Sequence, residues 1–325
     1  MTQEHSQEHS IVQQIKTWTN SRFIGDDCAM LPRQQLATTD SLIEGTHFLT
    51  SVSSFEDIGW KSVAVNLSDI AAMGGYPEYL LVAISLPAQF TREQFSRLYS
   101  GIIDCANTFK TRVAGGDLTA GPNLVLSLTA LGSWHENGCL TRSGAKDGDL
   151  VIATGDFGAS AAGLWYLRNN SQSIPGAPPC FPHAAAAHRR PQPKLTAGWA
   201  LVKRTASEGA LMDASDGLAD ALVQIAHASN VSMDIDLSSV PVHEETRNLA
   251  GLAGVDPLHW ALYGGEDYQL VGCLRKEIWD NWEQELATHF VVIGRVSRGR
   301  GVNLRNAGKE GAKLDLDNAF QQIHF

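Results

Sequence analysis

The acidic residues of this chain recur beside small or flexible neighbours. They stand in Gly25-Asp26-Asp27, Thr38-Thr39-Asp40-Ser41, Leu67-Ser68-Asp69, Gly115-Gly116-Asp117, Asp213-Ala214-Ser215-Asp216-Gly217 and Gly264-Gly265-Glu266-Asp267. Glycine lets backbone approach a ligand closely, and aspartate supplies the hard oxygen that Mg²⁺ prefers. That ion is commonly held by few carboxylates together with water and substrate phosphates, so dispersed aspartates suit it better than a packed cage. Taken singly, an Asp beside Gly is more often a turn residue than a ligand. Several such edges with almost no Lys or Arg beside them would repel one another without a cation. As a set they favour a metal-phosphate site at strand–loop edges.

The familiar phosphate loops are missing. There is no G-x-x-x-x-G-K-[ST], no usable G-x-G-x-x-G, no H-R-D loop, no nucleophile elbow and no H-E-x-x-H. Arg142, in Leu140-Thr141-Arg142-Ser143-Gly144, fits a bidentate phosphate fork and equally fits a surface arginine in a turn. His47, just after the Asp40 segment, reads by itself as a structural histidine.

These residues need elements to hold them. Ile11 to Trp18 reads as a lead-in helix, and a strand over Leu36–Thr39 runs into Asp40. From Asp57 to Met73 the residues Trp60, Val63, Ala64, Leu67, Ile70 and Ala71 repeat at helical spacing, with Ser62, Asn66 and Asp69 on another stripe. Tyr79–Leu86 reads as a strand ended by Pro87. Thr91-x-x-Gln94 forms a capping box that opens a helix with Phe95, Leu98, Ile102, Ala106 and Phe109 inward. Strands follow at Arg112–Ala114 and Leu124–Leu131. Thr141–Asp149 is turn-rich and marks a domain boundary. Beyond it come a strand at Leu150–Ala153, a helix at Ala159–Arg168 and Ser171–Pro193, whose six prolines predict an irregular insertion. Helices and strands then alternate, closing on strands near Val291–Val296. The pattern predicts an α/β or α+β fold in two domains, within reach of 325 residues.

Composition removes other classes. A net charge of −10 argues against a nucleic-acid surface, which needs clustered Lys and Arg. An acidic protein still binds anionic substrates where metal ions invert the local charge. Cys28, Cys105, Cys139, Cys180 and Cys273 are scattered, odd in number and without a C-x-x-C pair, which fits a reducing compartment rather than a disulfide framework or zinc site. Cys28 reads as a small buried hydrophobe. The polar start MTQEHSQEHS lacks an apolar signal region, and the apolar run at Tyr79–Leu86 is too short to span a bilayer. A cytoplasmic protein with no membrane partner is expected.

The blocks GDDCAML from Gly25, TTDSLIEGTHF from Thr38, WKSVAVNLSDIAAMGGYP from Trp60, AGGDLTAGP from Ala114, LTRSGAKDGD from Leu140, MDASDGLADAL from Met212 and YGGEDYQL from Tyr263 occur in the order seen in thiamine-monophosphate kinases. The chain resembles that family from about Arg22 to Leu270. The resemblance implies an α/β and α+β fold of the aminoimidazole-ribonucleotide-synthetase type. Residues 1–140 would form the N-terminal ATP- and Mg-binding domain that dimerises through its sheet, and residues 141–325 an α+β domain closing the cleft. It further implies a homodimer that moves a phosphoryl group from ATP to thiamine monophosphate with Mg²⁺, giving thiamine diphosphate. Asp27, Thr38, Thr39, Asp40, Asp69, Asp117, Asp213 and Asp216 match the family's magnesium positions, and Gly116, Asp117, Arg142 and Ser215 its ATP contacts. His47 and Glu266 match its contacts to the thiamine phosphate. Asp69, Asp117, Arg142 and Asp213 would carry the catalysis. The family's stacking aromatic follows a Leu-Asp pair, but Leu314-Asp315 is followed here by Leu316, which makes Phe320 the candidate. Related selenophosphate synthetases need a reactive Cys or selenocysteine in an N-terminal Gly-rich loop, and hydrogenase-maturation relatives a C-terminal Cys. This sequence has neither. A non-catalytic thiamine-phosphate binder is the rival from another class, and the intact carboxylate set weighs against it.

Overall fold

The computed structural model describes residues 7–169, 180–306 and 309–314. Its first half contains α1 (Gln7–Thr19), β1 (Ala29–Leu31), β2 (Gln35–Ile43), α2 (Phe55–Ala72), β3 (Tyr76–Leu86), α3 (Arg92–Thr108), β4 (Arg112–Ala120) and β5 (Val125–Ser133). Then follow β6 (Leu150–Thr154), α4 (Ala159–Asn169), α5 (Pro182–Arg189), α6 (Leu195–Thr205), β7 (Ala210–Asp213), α7 (Leu218–Ser229), β8 (Ser232–Asp236), α8 (Glu244–Ala253) and α9 (Pro257–Tyr263). The chain continues through β9 (Leu270–Leu274), α10 (Lys276–Leu286), β10 (Phe290–Ser297), β11 (Gly301–Asn306) and β12 (Lys309–Lys313).

Two mixed sheets organise the described residues. One has the order β1-β2-β5-β3-β4 and the other β12-β11-β8-β10-β6-β9-β7. The α/β expectation is therefore met. Among the described residues no helix is long and apolar enough to cross a membrane.

Helix α2 lies between the layers. Ser54 and Asp57 close a capping box at its start, a signal the sequence reading did not use, and it begins two residues before the expected Asp57. It packs against α3, α6, β2, β5 and β7. Because of this, its polar stripe is inside: Ser62 and Asn66 are buried, as are Val63, Leu67 and Ile70. The Ser62 hydroxyl donates to the Gly59 carbonyl at 2.8 Å, and the Asn66 amide donates to the Ser62 carbonyl at 3.0 Å. Helix α3 crosses α2 at close range because both carry glycine at the contact. A Cβ on Gly59 would meet the Leu98 carbonyl oxygen at 2.0 Å, and one on Gly101 the Glu56 carbonyl oxygen at 1.9 Å. The Thr91–Gln94 capping box is present as expected.

Four expectations need correction. Asp40 lies inside β2, opposite Leu128, rather than at its end. β4 runs on to Ala120, so Asp117 also lies within a strand. Ser171–Pro193 is not wholly irregular, since Pro182 opens α5 from the first turn, where its missing N–H costs nothing. The strand at Val291–Val296 is also followed by β11 and β12 rather than closing the fold.

A carboxylate cluster at the end of α2

Asp27, Asp69 and Asp213 come from three separate stretches of chain and offer oxygens that all lie within 4.8 Å of one another. Asp27 follows the Gly25 turn before β1, Asp69 sits in the last turn of α2, and Asp213 ends β7. Neighbouring side chains hold each of them. The Thr38 hydroxyl on β2 donates to Asp69 Oδ2, and Ser68 Oγ donates to Asp213 Oδ2 at 2.6 Å. Arg142 Nη2 pairs with Asp27 Oδ1 at 2.8 Å, while its backbone N–H donates to Asp26 Oδ1 at 2.9 Å. Its other terminal nitrogen donates to Gln224 Oε1, and Gln224 in turn donates to Asp220. Arg142 is thus built into the site rather than waving in a surface turn.

The electrostatics follow from burial and like charge. Burial pushes Asp69 well above the usual carboxylate range, and the charges of Asp40, Asp213 and Asp27 add to it. Burial and then Asp27 do the same to Asp213. Asp27 is raised too, because desolvation outweighs the Arg142 guanidinium beside it. Burial likewise lifts the Cys28 thiol well up, as befits a small core residue. The donor set fits a hard divalent cation on one further observation. Asp27 Oδ2 is buried without a hydrogen-bond partner, and a buried carboxylate oxygen needs a proton, a donor or a metal.

The remaining expected residues divide. Asp40 acts on the cluster itself, adding to the raised ionisation of Asp69 and Asp213, whereas Asp216 acts on the Tyr268 hydroxyl, which is raised by burial and then by Glu266, Asp40, Asp213 and Asp216. Thr39 lies beside Thr38 on β2, but its hydroxyl is taken by the Leu128 carbonyl at 2.9 Å. The Ser215 carbonyl accepts from the Glu266 N–H at 2.6 Å, which ties the two Gly-rich turns together. His47 Nδ1 accepts the Ile43 N–H at 3.1 Å. Gly116 and Asp117 stand apart within one chain. The register runs Asp40–Leu128–Val82–Gly116, three strand spacings and so about 14 Å of sheet. A side chain at Gly116 would strike the Val82 carbonyl oxygen, 1.9 Å from an added Cβ. Phe320, like Leu316, lies outside the described residues.

Sequence reasoning missed Lys61 and His188. Lys61, almost fully buried, pairs with Glu266 Oε1 at 2.7 Å and donates to the His47 carbonyl at 3.1 Å. His188, also buried, faces Glu266 Oε2 at 3.5 Å. The signal available was a lysine inside the apolar run Gly59-Trp60-Lys61-Ser62-Val63, since a lysine is fully buried almost only when paired.

Residues 25–134 match the family model AIR synthase related protein, N-terminal domain. The thiamine-monophosphate kinase of Escherichia coli strain K12 is 40% identical over 84% of this chain and 83% of its own length. That of Bacillus subtilis strain 168 is 37% identical over 84% and 83%. A solved structure of AaThiL complexed with AMPPCP and TMP superposes with a TM-score of 0.82 at 31% identity, covering 94% of this chain and 96% of that one. The chain belongs to the thiamine-monophosphate kinase family.

Proposed function

We propose that this protein transfers the γ-phosphoryl group of ATP to thiamine monophosphate, releasing thiamine diphosphate and ADP. The observation that carries the reading is the convergence of Asp27, Asp69 and Asp213 within 4.8 Å in a chain of this family. Asp27, Asp69 and Asp213 would hold Mg²⁺, supported by Asp40, Asp216 and Thr38. Bound there, Mg²⁺ would neutralise charge on the two phosphates that must meet.

The acceptor is itself a phosphate, largely dianionic at neutral pH because its second pKa is about 6. No strong general base is needed, and the protein's task is alignment and charge stabilisation. Arg142, fixed between Asp27 and Gln224, presents a cation that spreads the transferred charge. Gly116, Asp117 and Ser215 would contact the nucleotide. His47 and Glu266 would contact thiamine monophosphate, with Phe320 as the stacking aromatic.

A homodimer fits the N-terminal sheet. β4 is a nine-residue edge strand, nearly all exposed, and Leu118 on it joins Tyr79 and Leu81 of β3 among the exposed large apolar residues. Long, apolar, unpaired edges are normally covered. A cytoplasmic location is consistent with five free cysteines.

Release of ADP tests the reading. With ATP and Mg²⁺, thiamine monophosphate should elicit stoichiometric ADP, whereas free thiamine, lacking the anionic acceptor, should not. Saturable binding of thiamine monophosphate with no ADP would make the protein a binder, and vigorous turnover of free thiamine would remove the phosphate-acceptor assignment.

A further inference from the structure

Glu266 occupies an unusual backbone position. Its φ is +57°, and Tyr268 two residues on has φ +49°, a region non-glycine residues seldom enter. Backbone bonds from Glu266 N–H to the Ser215 carbonyl and from Tyr268 N–H to the Ala214 carbonyl, 2.6 and 3.2 Å, hold the turn in this shape. The side chain is fixed as firmly. Lys61 reaches Oε1 at 2.7 Å from α2, and His188 Nδ1 stands 3.5 Å from Oε2. The same His188 nitrogen is 3.2 Å from Ser160 Oγ on α4. Burial, followed by the Lys61 charge, keeps His188 well below its usual pKa, so at neutral pH it is an uncharged ring and Lys61 is the cation of the group. A buried lysine with a carboxylate at 2.7 Å and a carbonyl at 3.1 Å has two directed bonds, and both partners belong to segments on the substrate side, Glu266 and His47.

We propose that Lys61 is a positioning residue for thiamine-monophosphate binding: its ammonium orients the Glu266 carboxylate and ties the His47 segment to it. The proposal rests on the reading of Glu266 as a substrate contact. Lys61 itself is buried beneath these groups and acts through them. With Lys61 removed, Glu266 loses its orienting cation, and the cost falls on the thiamine substrate rather than on the nucleotide.

A double-mutant cycle with full steady-state kinetics tests this. Lys61→Met should raise KM for thiamine monophosphate about tenfold, the scale of a lost charged hydrogen bond, and leave KM for ATP within about twofold. Glu266→Gln should raise the same KM, and Lys61→Met added to it should change little further, because contacting partners are not additive. The double variant buries no unpaired charge. Should Lys61→Met alone fail to fold, Lys61→Gln, which keeps a hydrogen-bond donor, takes its place. Equal effects on both substrates, no effect on either, or full additivity would overturn the proposal. If Glu266→Gln raises KM for thiamine monophosphate and the Lys61 variant does not, only the positioning role falls. If Glu266→Gln leaves that KM unchanged, the substrate-contact reading falls and the proposal with it.

Discussion

Ser68 and Asp69, consecutive on α2, reach in different directions: the Ser68 hydroxyl donates to Asp213 on β7 at 2.6 Å, and Asp69 accepts from Thr38 on β2. One helix end thereby joins a strand of each sheet at the point where the carboxylates meet. Because α2 is packed on all sides by α3, α6, β2, β5 and β7, its backbone is set by the core, and the carboxylate of Asp69 is carried to the cluster whether or not its charge is welcome there.

Removing that charge should therefore stabilise the metal-free protein. Asp69→Asn keeps size and shape while relieving repulsion from Asp40, Asp213 and Asp27. In chelator the variant should be at least as stable as wild type, by a few tenths of a kcal/mol or more. With Mg-ATP the order should reverse, because the wild type gains the larger ligand-linked stabilisation. Turnover should fall by orders of magnitude. Paired thermal melts with and without Mg-ATP, beside a rate assay, check it. A lower melt in chelator with a normal Mg-ATP shift would make Asp69 a structural helix residue.

The same cluster predicts a pH dependence. An unfolded aspartate ionises near 3.8, whereas Asp69 in the fold ionises well above that. Between the two values the folded state binds more protons than the unfolded, so stability falls as pH rises through this window. In chelator, wild type should lose more stability than Asp69→Asn between mildly acidic and neutral pH, and saturating Mg²⁺ should flatten the difference. Urea unfolding at a series of pH values measures both slopes, and identical slopes would contradict the raised ionisation of Asp69.

Arg142 and Asp27 should behave as a buried pair. The Asp27 side chain is fully covered and that of Arg142 is only 21% exposed. Arg142→Met leaves a buried carboxylate without its cation and should cost about 2–3 kcal/mol without ligands. Asp27→Asn in the same chain should restore much of the loss. A surface arginine in a turn would cost less than about 0.5 kcal/mol, and urea titration separates the two outcomes.

Much of this site was legible because its blocks are local: the turns carrying Asp27, Asp213 and Glu266 are short Gly- and Ser-rich stretches whose chemistry survives without tertiary information. The sheets were legible in kind but not in extent. Asp40 and Asp117 sit beside residues that favour turns, yet pairing with Leu128 and Ala83 carries β2 and β4 through them, a non-local effect that no window of sequence contains. Helix α5 was hidden by the prolines around it, although Pro182 at its first turn is compatible with a helix start. Lys61 and His188 escaped notice because their partner, Glu266, is distant in sequence, and a buried ion pair is visible only once both ends are placed.

Phe320→Ala examines the substitution of Leu316 for the family's aromatic. If Phe320 supplies the stacking face, KM for thiamine monophosphate should rise by the equivalent of about 1 kcal/mol while KM for ATP stays put. Steady-state kinetics in both substrates decides it, and an equal effect on both would remove Phe320 from this role.

The central claim is that a carboxylate cluster built by Asp27, Asp69 and Asp213 serves phosphoryl transfer from ATP to thiamine monophosphate. Phosphorus NMR of a reaction mixture holding enzyme, Mg²⁺, ATP and thiamine monophosphate follows every phosphate at once. The account predicts that thiamine diphosphate and ADP appear in equal amounts as the ATP γ signal declines, and that Asp213→Asn, folded by circular dichroism, produces neither at a comparable rate. Free inorganic phosphate as the sole new species, or an undiminished rate in Asp213→Asn, would contradict it.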